Sequence, residues 1–233
     1  MVQVNNTPIN IRIRFHKIGG LQYISHLDLV RTMHKIIVRS KLPLWYTEGF
    51  NPKPKMVFAA PLSIGTESKT EFMDLRLTER IPESDVMEAL NKNMTDEMQV
   101  IEAYYPETKL VDLKWFDYSI RINTLGASEE LAVKCERILN SDTVEIEKKT
   151  KPGEPTKTAN IAPLIKSAVA SFSNSEILIK ACISADQSSF LNPEYLIKAL
   201  RKYCGILSSE DITKESYSIM REIAYKSDMS EFR

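Results

Sequence analysis

Apolar and polar residues alternate near the start of the chain. The apolar positions are Ile9, Ile11, Ile13 and Phe15, and the polar positions between them are Asn10, Arg12 and Arg14. A period of two is typical of a half-buried strand. We therefore predict a strand over residues 9–15 whose outer face is basic.

After Gly19 and Gly20 the period changes to that of a helix. Ser25 is a candidate N-cap, with Asp28 three residues further on. At 100° per residue one arc holds Leu29, Val30, Met33, Ile36 and Ile37, and the opposite side holds Arg31, Lys35 and Arg39 at i, i+4 spacing. The pattern predicts a helix that docks by its apolar arc and exposes a basic stripe.

The rest of the first half continues as strand, strand, helix, strand. We predict strands over residues 56–62, 70–77 and 99–105 and a helix over residues 82–94. Between Pro43 and residue 56, Pro52 and Pro54 exclude both helix and central strand, which indicates an ordered loop. The resulting order, β-α-β-β-α-β, is typical of a ferredoxin-like domain.

The second half repeats that order with an insertion, although its pattern is weaker. We predict strands over residues 118–123, 144–148, 176–184 and 215–223, and helices over residues 128–139, 161–172 and 193–203. Residues 149–160 are rich in Lys, Pro and Thr and are predicted to be a mobile insertion. The fold class is therefore α+β, with two tandem ferredoxin-like domains at residues 1–107 and 115–233.

Charge is unevenly distributed along a chain whose composition is otherwise ordinary. Residues 1–60 carry nine Lys/Arg and two acidic residues, a net charge of +7, whereas the 233 residues together have a net charge of zero. A basic region of this kind favours an anionic partner.

Several classes of protein are disfavoured by what the sequence lacks. There is no apolar run long enough to span a bilayer and no secretory leader, so we expect a cytoplasmic protein without a membrane partner. The three cysteines are far apart without a C-x-x-C pair, so the chain cannot itself hold an iron–sulfur cluster. They are expected to be buried apolar residues, and we expect no bound metal or other cofactor.

His26 is the candidate catalytic residue, with Asp28 as its candidate partner. At the first helical position the helix dipole keeps the imidazole neutral, so His26 could act as a general base or donate a hydrogen bond to phosphate. The structural alternative is a histidine that closes the edge of the core and bonds a loop carbonyl, with Asp28 capping the helix. His16 and His34 are weaker candidates, and no spacing predicts a zinc site.

Aromatic residues and lysines are interleaved around the proline-rich loop. Aromatic rings stack on bases while cations neutralise phosphates, which is how single-stranded RNA is held. The alternative is that Trp45 and Phe50 pin the loop to the core and the lysines are only solvated. Gly19 and Gly20 could admit phosphate, but no phosphate-binding motif is present. The predicted nucleic-acid-binding residues are Arg31, Lys35, Arg39, Lys41, Trp45, Tyr46, Phe50, Asn51, Lys53 and Lys55.

Three segments resemble the radical-SAM-linked family of bacterial proteins. They are residues 23–28 (YISHLD), residues 46–55 (YTEGFNPKPK), and residues 61–65 (PLSIG) together with Glu71. Members of that family occur alone or fused behind a radical SAM enzyme, and this chain resembles the stand-alone form. The resemblance implies a separate radical SAM protein as partner and assigns no activity to any residue.

The predicted architecture is also similar to that of CRISPR repeat-processing endoribonucleases, which have tandem ferredoxin-like domains and a histidine near the first helix. This similarity is an analogy of fold only. The Gly- and Lys-rich segment that those nucleases have near the C-terminus is not evident here.

These observations lead to one hypothesis and two alternatives. The hypothesis is an RNA-binding accessory protein without an activity of its own, which acts with a separate radical SAM enzyme on tRNA or ribosomal RNA. No DNA specificity is inferred. The alternatives are a metal-independent endoribonuclease that uses His26, and a protein-interaction module that binds no nucleic acid.

Overall fold

The computed structural model describes residues 7–148, 157–209, 211 and 213–233. The chain divides into two compact units. The first is Met1–Asp112 together with Arg233, and the second is Leu113–Phe232.

The first unit forms from the alternating and helical patterns of residues 9–105. In the order of the chain its elements are β1 (Ile9–Lys17), α1 (His26–Arg39), β2 (Met56–Phe58), β3 (Thr66–Leu77), α2 (Glu83–Asn91) and β4 (Val100–Tyr104). A short 3-10 helix at Gly19–Tyr23 lies between β1 and α1. This is the element order that the sequence predicts for the first half.

The strands of the first unit form an antiparallel sheet in which β1 lies between β4 and β3, and β2 pairs with β3. Ile11 lies opposite Leu75 and Ile13 opposite Met73. Because side chains alternate between the faces of a strand, these apolar residues share one face. That face and the apolar arc of α1 form one buried core.

The second unit contains more elements than the first. They are β5 (Trp115–Asn123), α3 (Glu129–Leu139), β6 (Glu145–Lys148), β7 (Lys157–Asn160), β8 (Ile165–Ser173), β9 (Glu176–Ser184), α4 (Glu194–Cys204) and β10 (Ser216–Tyr225). Strands β10, β5, β9 and β8 are neighbours in that order and are antiparallel. Strands β6 and β7 form a separate two-stranded ladder.

The prediction of a helix over residues 161–172 is wrong, because most of this segment is the strand β8. A two-residue turn at Asn174 and Ser175, with φ of 50° and 64°, joins β8 to β9. Positive φ at both positions is typical of a type I′ turn, whose twist matches that of paired strands. The hairpin ladder therefore decides the conformation of a segment whose own pattern is ambiguous.

The predicted mobile insertion at residues 149–160 is only partly within the described residues. Residues 149–156 lie outside them. Lys157–Asn160 is the strand β7, which pairs with β6, so the prediction of a mobile loop is wrong for these four residues.

Helices and antiparallel strands together confirm the α+β class. No helix among the described residues is long and apolar enough to cross a membrane.

Candidate nucleic-acid interface

Helix α1 presents the predicted basic stripe. Its buried residues are Leu29, Met33, Ile36 and Ile37. Arg31, Lys35 and Arg39 are all exposed, as the helical period requires. Val30, which the sequence places on the apolar arc, is only half-buried. The stripe is therefore available to an anionic partner.

The start of α1 is fixed by a reciprocal pair. The Ser25 hydroxyl accepts a hydrogen bond from the Asp28 backbone N–H (3.1 Å) and donates one to the Asp28 carboxylate (2.7 Å). The carboxylate also accepts a bond from Arg31 at 3.3 Å. The Ser25 hydroxyl, and to a smaller extent Arg31, lower the pKa of Asp28. Asp28 therefore caps the helix and partly neutralises Arg31, and among the described residues it makes no hydrogen bond to His26.

The proline-rich loop is a hairpin. Tyr46 and Pro54 form a β-bridge, and the backbone N–H of Thr47 donates to the carbonyl of Lys53 at 2.9 Å. At its base, Trp45 N–H donates to the Arg76 carbonyl (2.8 Å) and Arg76 N–H donates to the Lys55 carbonyl (3.2 Å). The hairpin is thus tied to β3, and Pro52 and Pro54 restrict it further.

The hairpin exposes its aromatic residues unequally. Phe50, at the tip, has a relative exposure of 112%, and Tyr46 has one of 42%. Trp45 is half-buried at the base. Trp45 can therefore pin the loop to the core, as the structural alternative proposes. Phe50 does not, because its ring is open to solvent.

Most of the predicted cations around this hairpin are exposed. Lys41, Lys53 and Lys55 are all exposed, and so is Asn51. Lys41 follows α1 with a φ of 56°, a left-handed residue that ends the helix. The hairpin therefore carries an exposed phenyl ring, an exposed amide and two ammonium groups within six residues.

The predicted basic outer face of β1 is not found. Arg12 is fully buried and binds Asp74 through two nitrogens (2.6 and 3.1 Å) as well as the Thr108 hydroxyl (2.8 Å). Lys17 is buried and donates to the Leu21 carbonyl at 2.9 Å. These cations serve the structure of the unit rather than a partner.

Charge within the first unit is balanced overall. Residues 61–112 carry five Lys/Arg and twelve Asp/Glu, which offset the +7 of residues 1–60. The positive charge available to a partner is therefore local, on α1 and the hairpin, and is not a property of the whole unit.

His26 is exposed, and its ring lies edge-on to Phe58 with a centroid distance of 5.4 Å. No hydrogen bond to its imidazole is found among the described residues, so the predicted bond to a loop carbonyl is absent there.

His16 Nε2 lies 2.9 Å from the Asp96 carbonyl oxygen. In the described part of the chain no group of three His, Cys, Asp or Glu side chains is placed to hold a metal ion.

The backbone N–H groups of the Gly19–Gly20 pair are already occupied. Gly19 N–H donates to Glu67 (2.7 Å) and Gly20 N–H donates to Glu97 (2.9 Å). Two carboxylates of the chain itself therefore occupy the places that a phosphate would need.

Sequence reasoning missed three exposed apolar residues in the segments around His26. Tyr23, Leu27 and Ile64 have relative exposures of 68%, 56% and 59%. Their segments meet where Gly65 N–H donates to the Gln22 carbonyl at 2.9 Å. The sequence did contain one signal of this exposure. Leu27 is apolar but lies about 100° from His26 around the helix, outside the apolar arc of α1.

Comparison with protein families and with curated proteins gives one match. A family model described as "Uncharacterized protein conserved in bacteria (DUF2344)" matches residues 10–193. A search of curated proteins finds no match.

Two solved structures show low similarity. A chain from "Crystal Structure of a Cbf5-Nop10-Gar1 Complex" shares 12% identity at a TM-score of 0.48, and the match covers 94% of this chain. This chain spans about half the length of that one, 50%. "DypB N246A in complex with manganese" shares 9% identity at a TM-score of 0.20, over 94% of this chain and 96% of that one. Neither similarity supports a conclusion about this chain.

Proposed function

The chain belongs to the bacterial family DUF2344, and for this member we propose that it binds single-stranded parts of tRNA or ribosomal RNA through α1 and the hairpin of residues 45–55. In this proposal the protein acts in the cytoplasm, has no activity of its own, and presents RNA to a separate radical SAM enzyme. The radical SAM partner is supported by the resemblance of residues 23–28 and 46–55 to the radical-SAM-linked family.

The exposed ring of Phe50 is the observation that carries the proposal. Leaving a phenyl ring in water forgoes roughly 1.5–3 kcal/mol of burial free energy. The hairpin nevertheless holds this ring outward on a backbone restricted by two prolines and cross-strand bonds. Because the backbone that carries the ring is already restricted, little backbone entropy is lost when a base stacks on the ring, and Lys53 and Lys55 follow it in the hairpin to meet phosphates.

The exposed apolar side chains of Tyr23, Leu27 and Ile64 support the protein partner. They lie in two segments that a backbone hydrogen bond joins, and neighbouring exposed apolar residues are typical of protein-interaction sites. Affinity capture with the Leu27→Ser/Ile64→Ser variant, compared with the parent, should no longer recover radical SAM proteins identified by mass spectrometry. Equal recovery would contradict this part of the proposal.

We also propose that the two units are tandem ferredoxin-like domains that fold at residues 1–107 and 115–233. When β6 and β7 are set aside, the sheet order in each unit is fourth, first, third and second strand. That order, combined with β-α-β-β-α-β, supports the ferredoxin-like assignment.

RNA binding is tested by measuring the affinity for bulk tRNA as a function of salt. The Lys53→Ala/Lys55→Ala and Arg31→Ala/Lys35→Ala variants should each flatten the salt dependence by about 0.7 for every phosphate that the variant no longer neutralises. Phe50→Ala should cost roughly 1–3 kcal/mol at every salt concentration and leave the slope nearly unchanged.

Two matched variants serve as controls. Lys92 is an exposed lysine on α2 that pairs with Glu88, and Leu125 is an apolar residue that is 60% exposed. Lys92→Ala and Leu125→Ala should leave tRNA binding unchanged. If the parent binds no tRNA at low salt, or if the double charge variants keep the parent's slope, the protein-interaction alternative replaces RNA binding.

The exposed imidazole of His26 favours a second candidate function, metal-independent cleavage of RNA with His26 as general base. The ring is accessible, but Asp28 is engaged by Ser25 and Arg31 and does not orient it. Incubation of labelled RNA with the protein and EDTA decides between the two functions. Cleavage that disappears in His26→Ala would establish the nuclease, and intact RNA with a retarded band would support the accessory role.

A further inference from the structure

The second unit contains a cavity that the proposed interface does not use. Its volume is about 450 Å³, which lies within the usual range of ligand sites. Residues of β5, β8, β9 and β10 line it, among them Asp117, Ser119, Lys180, Cys182 and Ile223. Their strand neighbours Ile120 and Ile179 are buried, so the cavity lies on the sheet face opposite the core.

The register of the strands places the lining residues in two rows. Val169, Lys180 and Ser119 lie side by side on β8, β9 and β5. In the second row Ser167, Cys182, Asp117 and Ile223 lie side by side on β8, β9, β5 and β10. Asp117 and Lys180 are therefore diagonal neighbours on adjacent strands, with Cα atoms about 7–8 Å apart.

Lys180 is the one cation among the described residues that line the cavity. Its side chain is exposed, and no carboxylate lies within salt-bridge distance of it among the described residues. An ammonium group on the wall of a cavity is suited to a phosphate.

Two carboxylates in the cavity accept hydrogen bonds from hydroxyl groups. Asp117 accepts from the Tyr225 hydroxyl at 2.9 Å, and Glu222 accepts from the Ser119 hydroxyl. Burial raises the pKa of the Cys182 thiol to about 12, and the neighbouring Asp117 carboxylate contributes to that rise. A carboxylate has about four lone-pair sites, so Asp117 can accept further bonds. The polar floor of the cavity is therefore suited to a ligand that donates hydrogen bonds.

Apolar side chains complete the cavity. Ile223 is 39% exposed and lies opposite Asp117, and Val169 is 61% exposed and lies opposite Lys180. A flat base can pack on Ile223 while its edge meets Asp117 and its phosphate meets Lys180.

We infer that this cavity binds one unpaired guanine nucleotide of the bound RNA. The inference rests on the proposed RNA binding and adds a base preference to it. Guanine presents two neighbouring donors, N1–H and N2–H₂, on its Watson–Crick edge, and one carboxylate can accept both. The other bases place an acceptor next to their donor, and that acceptor would face the carboxylate.

The inference is tested by titrating the full chain with GMP, IMP, AMP, CMP and UMP and measuring each affinity by calorimetry or NMR. GMP should bind at least tenfold more tightly than the other four nucleotides, and IMP, which lacks the N2 amino group, should lose that advantage. Asp117→Asn should abolish the preference for GMP, whereas Lys180→Met should lower the affinity for all five nucleotides by a similar factor. Glu176→Gln and Arg121→Met, on the same strands but outside the cavity, should change nothing.

Several outcomes would overturn the inference. Equal affinities for GMP, IMP and AMP on the parent would do so without any variant, so the test stands even if the Asp117→Asn protein misfolds. Retention of the preference by a folded Asp117→Asn protein would also overturn it. If tRNA binds as proposed but GMP is not preferred, only this inference fails. If GMP is preferred but tRNA does not bind, the cavity binds a guanine nucleotide that is not part of an RNA, and the proposed RNA binding is wrong.

Discussion

Arg12 shows why a count of charges overstates a basic surface. Sequence alternation places it on the outer face of β1, where we expect solvent. The structure instead covers it with Asp74 and Thr108, and its fully buried guanidinium donates to both side chains and to the Thr108 carbonyl. A charged residue is evidence for a binding surface only when its side chain is not already paired within the protein.

Arg12→Met should lower the free energy of unfolding by about 3–5 kcal/mol, because it leaves Asp74 in a largely buried site without its cation. Arg31→Met is the matched control. Its pair with Asp28 has side-chain exposures of 64% and 56%, so its removal should cost less than about 1 kcal/mol. Urea denaturation of both variants measures the difference, and equal effects would mean that the Arg12 pair is not structurally important.

At the start of α1, the Ser25 hydroxyl both caps the helix and lowers the pKa of Asp28. Ser25→Ala removes the acceptor for the Asp28 N–H and should cost about 1 kcal/mol at neutral pH. It should also raise the pKa of Asp28 towards its ordinary value, because the Ser25 hydroxyl is the main cause of its lowering.

The sign of the pH dependence follows from that lowered pKa. The stability that Asp28 contributes is present near neutral pH and is lost as pH falls below about 4, through the lowered folded value. Ser25→Ala should therefore show a shallower acid loss in urea denaturation between about pH 7 and pH 3. Ser128→Ala, which removes the cap of α3, should cost a similar amount without moving the NMR-measured pKa of Asp28.

Elements with a strong period were predictable from sequence, and elements decided by their neighbours were not. Strand β1 and helix α1 follow from alternation and from a capped apolar arc. Strand β8 did not, because Ala168 and Ala170 have little strand preference and its exposed apolar residue, Val169, interrupts the alternation. The turn at Asn174 was the available signal for the hairpin.

The candidate interface was predictable as a set of residue types but not as a geometry. The exposure of Lys53 and Phe50 follows from a loop between elements. The hairpin bridge at Tyr46 depends on pairing with Pro54 and on backbone bonds to Arg76, which no local pattern encodes. The occupation of the Gly19 N–H by Glu67 spans 48 residues of sequence, so no local pattern predicts it either.

Each of the two units has its own buried residues and one of the two tryptophans, Trp45 in the first unit and Trp115 in the second. Ile179→Ala should lower the free energy of unfolding reported by Trp115 by about 2–5 kcal/mol, because Ile179 is buried in the second unit. Ile13→Ala is the matched variant in the first unit and should act on the transition reported by Trp45.

Each tryptophan can be isolated by replacing the other with phenylalanine, so urea denaturation followed by fluorescence reports one unit at a time. The proposal of two domains predicts that each core variant shifts its own reporter more than the other. Identical shifts in both reporters would mean that the chain unfolds as one cooperative unit.

Strand β8 lies at the end of its sheet, where open backbone groups would be free to pair with another chain. The Asn140 side chain donates to the Ala168 carbonyl (2.7 Å) and accepts from its N–H (3.1 Å), and the Glu136 carboxylate accepts from the Ala170 N–H (2.8 Å). Glu136 of α3 and Asn140, which follows that helix, thus occupy backbone groups through which sheets extend into fibrils. The same two side chains that hold α3 on β8 should therefore also hinder edge-to-edge association of this protein at high concentration.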